Sequence, residues 1–115
     1  MTLDAYARFL TARWDEIEQT ANHVSVSAID ETSGVLREIR YPVAREILAD
    51  LAAKRAILDD AMRDHRSLAD QQARPQGSLN MLYLLEVRND VNRVTLEHLA
   101  APFCDHPDHP ANQEA

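Results

Sequence analysis

Near the start of the chain, Leu3, Tyr6, Leu10, Trp14, Ile17 and Ala21 recur every three or four positions, with Phe9 beside them. Asp4, Arg8, Asp15, Glu18 and Gln19 fall on the other side. This is the period of an amphipathic helix, and the spacing predicts one of about five turns over residues 2–22. Thr2 is a candidate cap for its free N–H groups, and Asp4 adds negative charge to the first turn. The period then changes. Val24, Val26 and Ala28 alternate with Ser25 and Ser27, Asp30 to Gly34 is turn-forming, and Val35 to Arg40 can supply a second strand. That pattern predicts a small β-hairpin, which must lie on the helices because an isolated hairpin is marginal. Helix over "VLREIR" is the competing reading.

Val43, Ile47, Leu48, Leu51, Leu58 and Met62 form the stripe of a second helix over residues 41–70. Pro42 suits its first position, where the missing N–H costs nothing. Asp50 with Lys54, and Asp59 with Arg63, are favourable pairs four residues apart. "QQARPQGS" ends the helix as a polar linker. A third helix is expected over 79–100, capped by Ser78 and stopped by Pro102. It carries two adjacent stripes: Leu84, Val87, Val91, Val94 and His98 in one, Met81, Leu85, Leu96 and Leu99 in the other. So wide an apolar surface predicts a helix covered on two sides, in mid-bundle or at a subunit interface. It makes this helix the candidate surface of a homodimer.

The expected fold is therefore mainly α: three long helices with a small β-hairpin between the first two. It forms a single helical domain, 1–115, of which 102–115 is a C-terminal turn and tail. Composition agrees. Two glycines in 115 residues is a helical usage, and the five prolines fall outside the expected helix interiors. A chain of this length buries roughly 65 % of its unfolded surface and needs no staples.

Charge and cysteine usage narrow the functional classes. Nineteen acidic against twelve basic side chains give a net charge of −7, which argues against direct binding of nucleic acid or an anionic membrane surface. Cys104 is the only cysteine, so no intrachain disulfide forms and a reducing compartment is expected. The N-terminus lacks the basic and apolar regions of a signal peptide, and no apolar run approaches the roughly 20 residues of a membrane span. These features predict a cytoplasmic protein.

Candidate chemistry gathers in "APFCDHPDHP", residues 101–110. Cys104, His106 and His109, with Asp105 or Asp108, are chemically acceptable metal ligands, and His98 is the best distant one. Two well-separated ligand pairs are absent, however, and two prolines restrict the loop. The favoured reading is structural: Phe103 anchors the tail and Asp105–His106–Pro107 forms a polar turn at the helix end. No metal or cofactor is assigned. Cys104 and His106 also invite a thiol mechanism. Yet no oxyanion loop accompanies them, and the carboxylates Asp15, Glu16, Glu18, Asp59 and Asp60 read as solvated helix faces. The chain does not read as an enzyme.

Arg37, Arg40, Tyr41, Arg45 and Arg55 make one basic island in the acidic chain. It can take an anionic ligand or a partner's acidic face. Pairing with the carboxylates of the first helix is the favoured alternative.

Three stretches resemble a family of small uncharacterised proteins encoded by actinobacteria and their phages. "FLTARWDEIE", Phe9 to Glu18, is similar to that family's FLxARxDExE. "YPVAREILADLAAKRAIL", Tyr41 to Leu58, is similar to its DPARVLxEVxAKRxIL, with tyrosine in place of the capping aspartate. "AAPFCDHPDH" resembles its ALPYADHPDY ending. The family's Gly-Pro-Trp after the first helix is missing. In that ending an alanine is common where Cys104 stands and an aromatic where His109 stands. The resemblance thus implies that the Asp105–His106–Pro107 turn recurs while Cys104 and His109 are incidental, and it implies no activity.

The expectation is a non-catalytic, cytoplasmic protein-interaction module, of phage or mobile-element origin, with Phe103, Asp105 and His106 and the basic island as candidate contacts. Two alternatives stand beside it: a metal-binding protein or enzyme using the C-terminal cluster, and an acidic nucleic-acid mimic that captures a basic partner.

Overall fold

The computed structural model describes residues 2–31, 34–74 and 78–113, with side chains for 2–22, 44–74 and 78–113. Among the described residues there are three α-helices: α1 (Leu3–Glu31), α2 (Gly34–Ala73) and α3 (Leu79–Ala100). Two short 3₁₀ turns, Ala101–Phe103 and Pro110–Gln113, follow. None of these helices is long and apolar enough to cross a membrane.

No strand occurs among the described residues, so the β-hairpin of the sequence reading is corrected. α1 continues through the alternating Val24–Ala28 stretch, and α2 begins at Gly34 and includes "VLREIR". The physical reason lies in the same residues. Ala21, Val24 and Ala28 also step by three and four, as do Leu36, Ile39 and Val43, so each segment continues the neighbouring helical period. Strand preference is weak without a sheet to pack in. Of the expected turn, residues 32 and 33 lie outside the described residues, as do 75–77 of the polar linker. The longer α2 places Pro42 in a helix interior rather than at the first position. Proline has no N–H, so the carbonyl of Glu38 loses that helical bond.

The predicted caps are in place. Thr2 Oγ1 accepts from the N–H of Ala5 at 3.2 Å, and Ser78 Oγ accepts from that of Met81 at 3.3 Å. The expected α3 matches residue for residue.

The chain divides into two compact units. Residues 11–56 form one. Among the described residues its buried side chains are Trp14, Ala21, Ala44 and Leu51, with Arg13. Ile47, expected in the α2 stripe, is exposed. Ala44 lies three positions before it and Leu51 four after; those two make the buried line instead. Lys54 holds Asp50 at 2.8 Å, as the four-residue spacing suggested.

The other unit comprises Met1–Leu10 and Ile57–Ala115. Its core takes Leu3, Tyr6, Phe9 and Leu10 from α1, Leu58, Ala61 and Leu68 from α2, and Leu85, Leu96 and Ala100 from α3. Arg63 bonds to Asp60, three residues before it, rather than to Asp59.

Candidate functional site

The tail after Pro102 is built on a repeat of three. The N–H groups of His106, His109 and Asn112 donate to the carbonyls of Phe103, His106 and His109, at 2.9, 3.0 and 2.8 Å. Residues three apart eclipse in such a ladder, so Phe103, His106 and His109 share one side. That side rests on α1. The Phe9 ring lies 6.0 Å from Phe103, 5.7 Å from His106 and 5.1 Å from His109, each edge to face. Tyr6 meets His109 at 6.0 Å in the same manner. Edge-to-face packing sets the positive rim of one ring against the negative face of another.

Each histidine also closes its own turn. The N–H of Asp108 donates to His106 Nδ1 at 3.0 Å, and that of Ala111 to His109 Nδ1 at 3.1 Å. In both cases a proline follows the histidine and the donor lies two residues on. An accepting Nδ1 carries no hydrogen, which assigns the neutral ring its Nε2–H form. Asn112 Nδ2 donates to the carbonyls of Cys104 and His106, and Gln113 Nε2 to that of Pro107.

The metal candidates therefore do not converge. His98, Cys104 and Asp105 are exposed, while His106 and His109 turn their rings onto Phe9. Among the described residues no three histidine, cysteine, aspartate or glutamate side chains come together as a cation would need. Phe103 is the anchor the sequence suggested. His109, which the resemblance treated as incidental, is the deepest ring of the tail at 7 % exposure. It fills the place of an aromatic side chain by packing as one.

Of the basic island, Arg37, Arg40 and Tyr41 fall where side chains lie outside the described residues. Arg45 is exposed. Arg55 reaches Asp15 Oδ1 at 2.7 Å and Glu18 Oε2 at 2.9 Å, both on α1, as the pairing alternative required. Its hydrogen bond to Glu18, then the fields of Glu18 and Asp15, hold its pKa above the usual arginine value despite some desolvation.

α3 presents two unlike stripes. The inner one steps through Leu82, Leu85, Asn89, Asn92, Leu96 and Ala100, buried or half-buried throughout. It contains two asparagines with partners on α2. Asn89 Oδ1 faces His65 Nδ1 at 3.1 Å, and Asn92 Nδ2 donates to Asp64 at 3.0 Å. Arg88 adds a 3.0 Å bond to Asp64, and His65 Nε2 lies 3.5 Å from Asp4. Asp64, Asn89 and Asn92 did not stand out in the sequence. Aspartate and asparagine on a helix read as surface until the facing helix is known.

The outer stripe is the more apolar one, and it is in solvent. Leu84 is 50 % exposed, Val87 42 %, Val91 59 % and Val94 42 %, with Tyr83 beside them at 71 %. The expected second stripe shares Leu85 and Leu96 with the inner one, but Met81, placed there by the spacing, is 44 % exposed, and the spacing did not tell which stripe the fold buries.

Comparison with known proteins adds a family and no activity. The family described as DUF6221, a family of unknown function, matches residues 3–112. No curated protein and no solved structure matches. The chain belongs to that family of unknown function.

Proposed function

We propose that this chain is a non-catalytic protein-interaction module whose contact surface is the outer stripe of α3. The observation that carries the reading is the exposure of an aliphatic line on that helix: Leu84, Val87, Val91 and Val94 face water, while two asparagines, Asn89 and Asn92, are half-buried on the inner stripe. Burying a Leu or Val side chain contributes roughly 1.5–3 kcal/mol. A folded chain that leaves four such side chains near half exposure in one line forgoes several kcal/mol, and exposed patches of this kind mark association surfaces. Polar residues flank the stripe, as at the rim of an interface.

We place the module in the cytoplasm, because its lone cysteine is exposed and unbridged and suits a reducing compartment. The resemblance of "FLTARWDEIE", "YPVAREILADLAAKRAIL" and "AAPFCDHPDH" to proteins of actinobacteria and their phages is what supports an origin of that kind. The acidic-mimic alternative draws less support, because Asp15, Glu18, Asp50, Asp60 and Asp64 each hold a basic side chain of this same chain. The metal alternative draws less from a tail whose histidine Nδ1 atoms are already engaged.

Photo-crosslinking in the host tests the reading. A benzoylphenylalanine at Val91 is expected to yield a discrete protein adduct, and the same group at exposed Asp59 on α2 is not. Equal labelling from both positions would remove the basis for α3 as the contact surface.

A further inference from the structure

We infer that the outer stripe of α3 is occupied by a second copy of this chain, lying parallel and in register as a two-stranded coiled coil. The inference rests on the α3 contact surface just proposed and specifies what covers it.

Leu84, Val87, Val91, Val94 and His98 step by 3, 4, 3 and 4. This is the seam of a heptad repeat, in which Leu84, Val91 and His98 take the first core position and Val87 and Val94 the second. A line that needed only to pack within its own chain would follow the wider stripe of an ordinary amphipathic helix. Here the wider demand is met by the inner stripe, through Leu85, Leu96 and Ala100. From Leu84 to His98 the seam runs about 21 Å at 1.5 Å per residue. α3 is already held as a helix by its inner face, so a partner need not meet the cost of folding it.

The flanks select the partner and its direction. Arg88 and Thr95 border the seam on one side, and Tyr83, Asp90 and Glu97 on the other. They are polar along most of its length, which leaves a narrow seam with room for one partner helix rather than two. In a parallel in-register pair, each residue before a core position faces the residue five further along the second copy. That sets Tyr83 beside Arg88 of the second copy, and Asp90 beside its Thr95. The first is a ring beneath a guanidinium, one that Asp64 holds at 3.0 Å within its own chain. The second contains no like charges. An antiparallel pair with Leu84 against Val94 and Val87 against Val91 gives the opposite result. It sets Arg88 beside Arg88 and Asp90 beside Asp90, two like-charge contacts at its centre. The charge pattern therefore suits a second copy in the parallel sense.

Two measurements on the full chain test this. Native mass spectrometry at about 100 μM, well above a micromolar Kd, is expected to show twice the 13.0 kDa of the chain. Val91→Glu is expected to return it to 13.0 kDa with far-UV helicity unchanged. Should that variant unfold, direction and register are read from cysteine pairs introduced in a Cys104→Ala background. Val87→Cys alone is expected to form an intermolecular disulfide on mild oxidation. A disulfide formed only when Val87→Cys is mixed with Val91→Cys means an antiparallel pair and overturns the proposal. A wild-type chain that stays monomeric overturns it as well. In that case an adduct from Val91 to a different protein would leave the interaction reading standing, and the absence of any adduct would remove both.

Discussion

The C-terminal turns and the outer stripe of α3 exchange the roles that their compositions suggest. Residues 101–113 contain two histidines, two aspartates, an asparagine and three prolines, yet this segment is packed. Its rings meet Phe9 and its side-chain amides close on its own carbonyls. Leu84, Val87, Val91 and Val94 are aliphatic throughout, yet they stand in water. Hydropathy alone would sort the two regions the other way. Ring shape and hydrogen-bond closure let the polar segment dock on the fold. The aliphatic stripe has no surface within its own unit left to meet, because the inner stripe of the same helix already satisfies the core.

The strongest way to break this comparison is to remove the ring on which the tail rests. Phe9 is 6 % exposed and meets Phe103, His106 and His109. Phe9→Ala is expected to cost about 3–5 kcal/mol in urea unfolding, the usual range for a buried phenylalanine. It should also open residues 101–113 to proteolysis before the helices are cut. Loss of stability with the tail still protected would mean that the turns do not depend on this contact.

A pair of substitutions at His109 separates its two duties. His109→Ala removes both the ring and the Nδ1 acceptor for Ala111, and about 2–3 kcal/mol is expected from the packing and hydrogen bond together. His109→Phe keeps a ring against Phe9 and Tyr6 and loses only the acceptor, so about 1 kcal/mol is expected. If the two variants unfold at the same urea concentration, the ring contributes nothing and the aromatic account of this tail is wrong. Asn112→Ala should cost a little less, about 0.5–1.5 kcal/mol, because its amide closes the turn through the carbonyls of Cys104 and His106. No measurable change there would mean that the backbone ladder alone fixes the turn.

These two regions also show how far the sequence could be read. The spacing of Leu3, Tyr6, Leu10 and Trp14, the Ser78 cap and the Pro102 stop placed the start of α1 and both ends of α3 correctly, while α1 runs on to Glu31. Such local signals need no knowledge of what lies opposite. The hairpin failed because Val24 to Ala28 fits a period of two and a period of three to four at once; only the adjoining helix decides between them. Phe103 was legible as an anchor. His109 was not, because a histidine among aspartates reads as a ligand or a solvated group, and its ring contacts depend on Phe9, a hundred residues earlier in the chain. Asp64, Asn89 and Asn92 were illegible for the same reason: each becomes meaningful only beside its partner. For α3 the outer stripe was visible, but the inner one is defined only by its partners on α2, Asn89 beside His65 and Asn92 beside Asp64.

The smallest expected effect sharpens the comparison most. Val91 is 59 % exposed on the outer stripe. In dilute solution, where copies are separated, its side chain has few contacts to lose. Alanine is the better helix former by a few tenths of a kcal/mol, because valine surrenders rotamer freedom against the preceding turn. Val91→Ala is therefore expected to leave the stability of the separated chain within about 0.5 kcal/mol of wild type, with the helix term favouring the variant. Leu96, on the inner stripe of the same helix and 0 % exposed, supplies the reference: Leu96→Ala should cost about 2–5 kcal/mol. Urea unfolding at two protein concentrations checks both. A Val91→Ala chain that loses more than about 1.5 kcal/mol when dilute would place valine in the core of the single chain. The outer stripe would then be part of the fold rather than a surface kept for association.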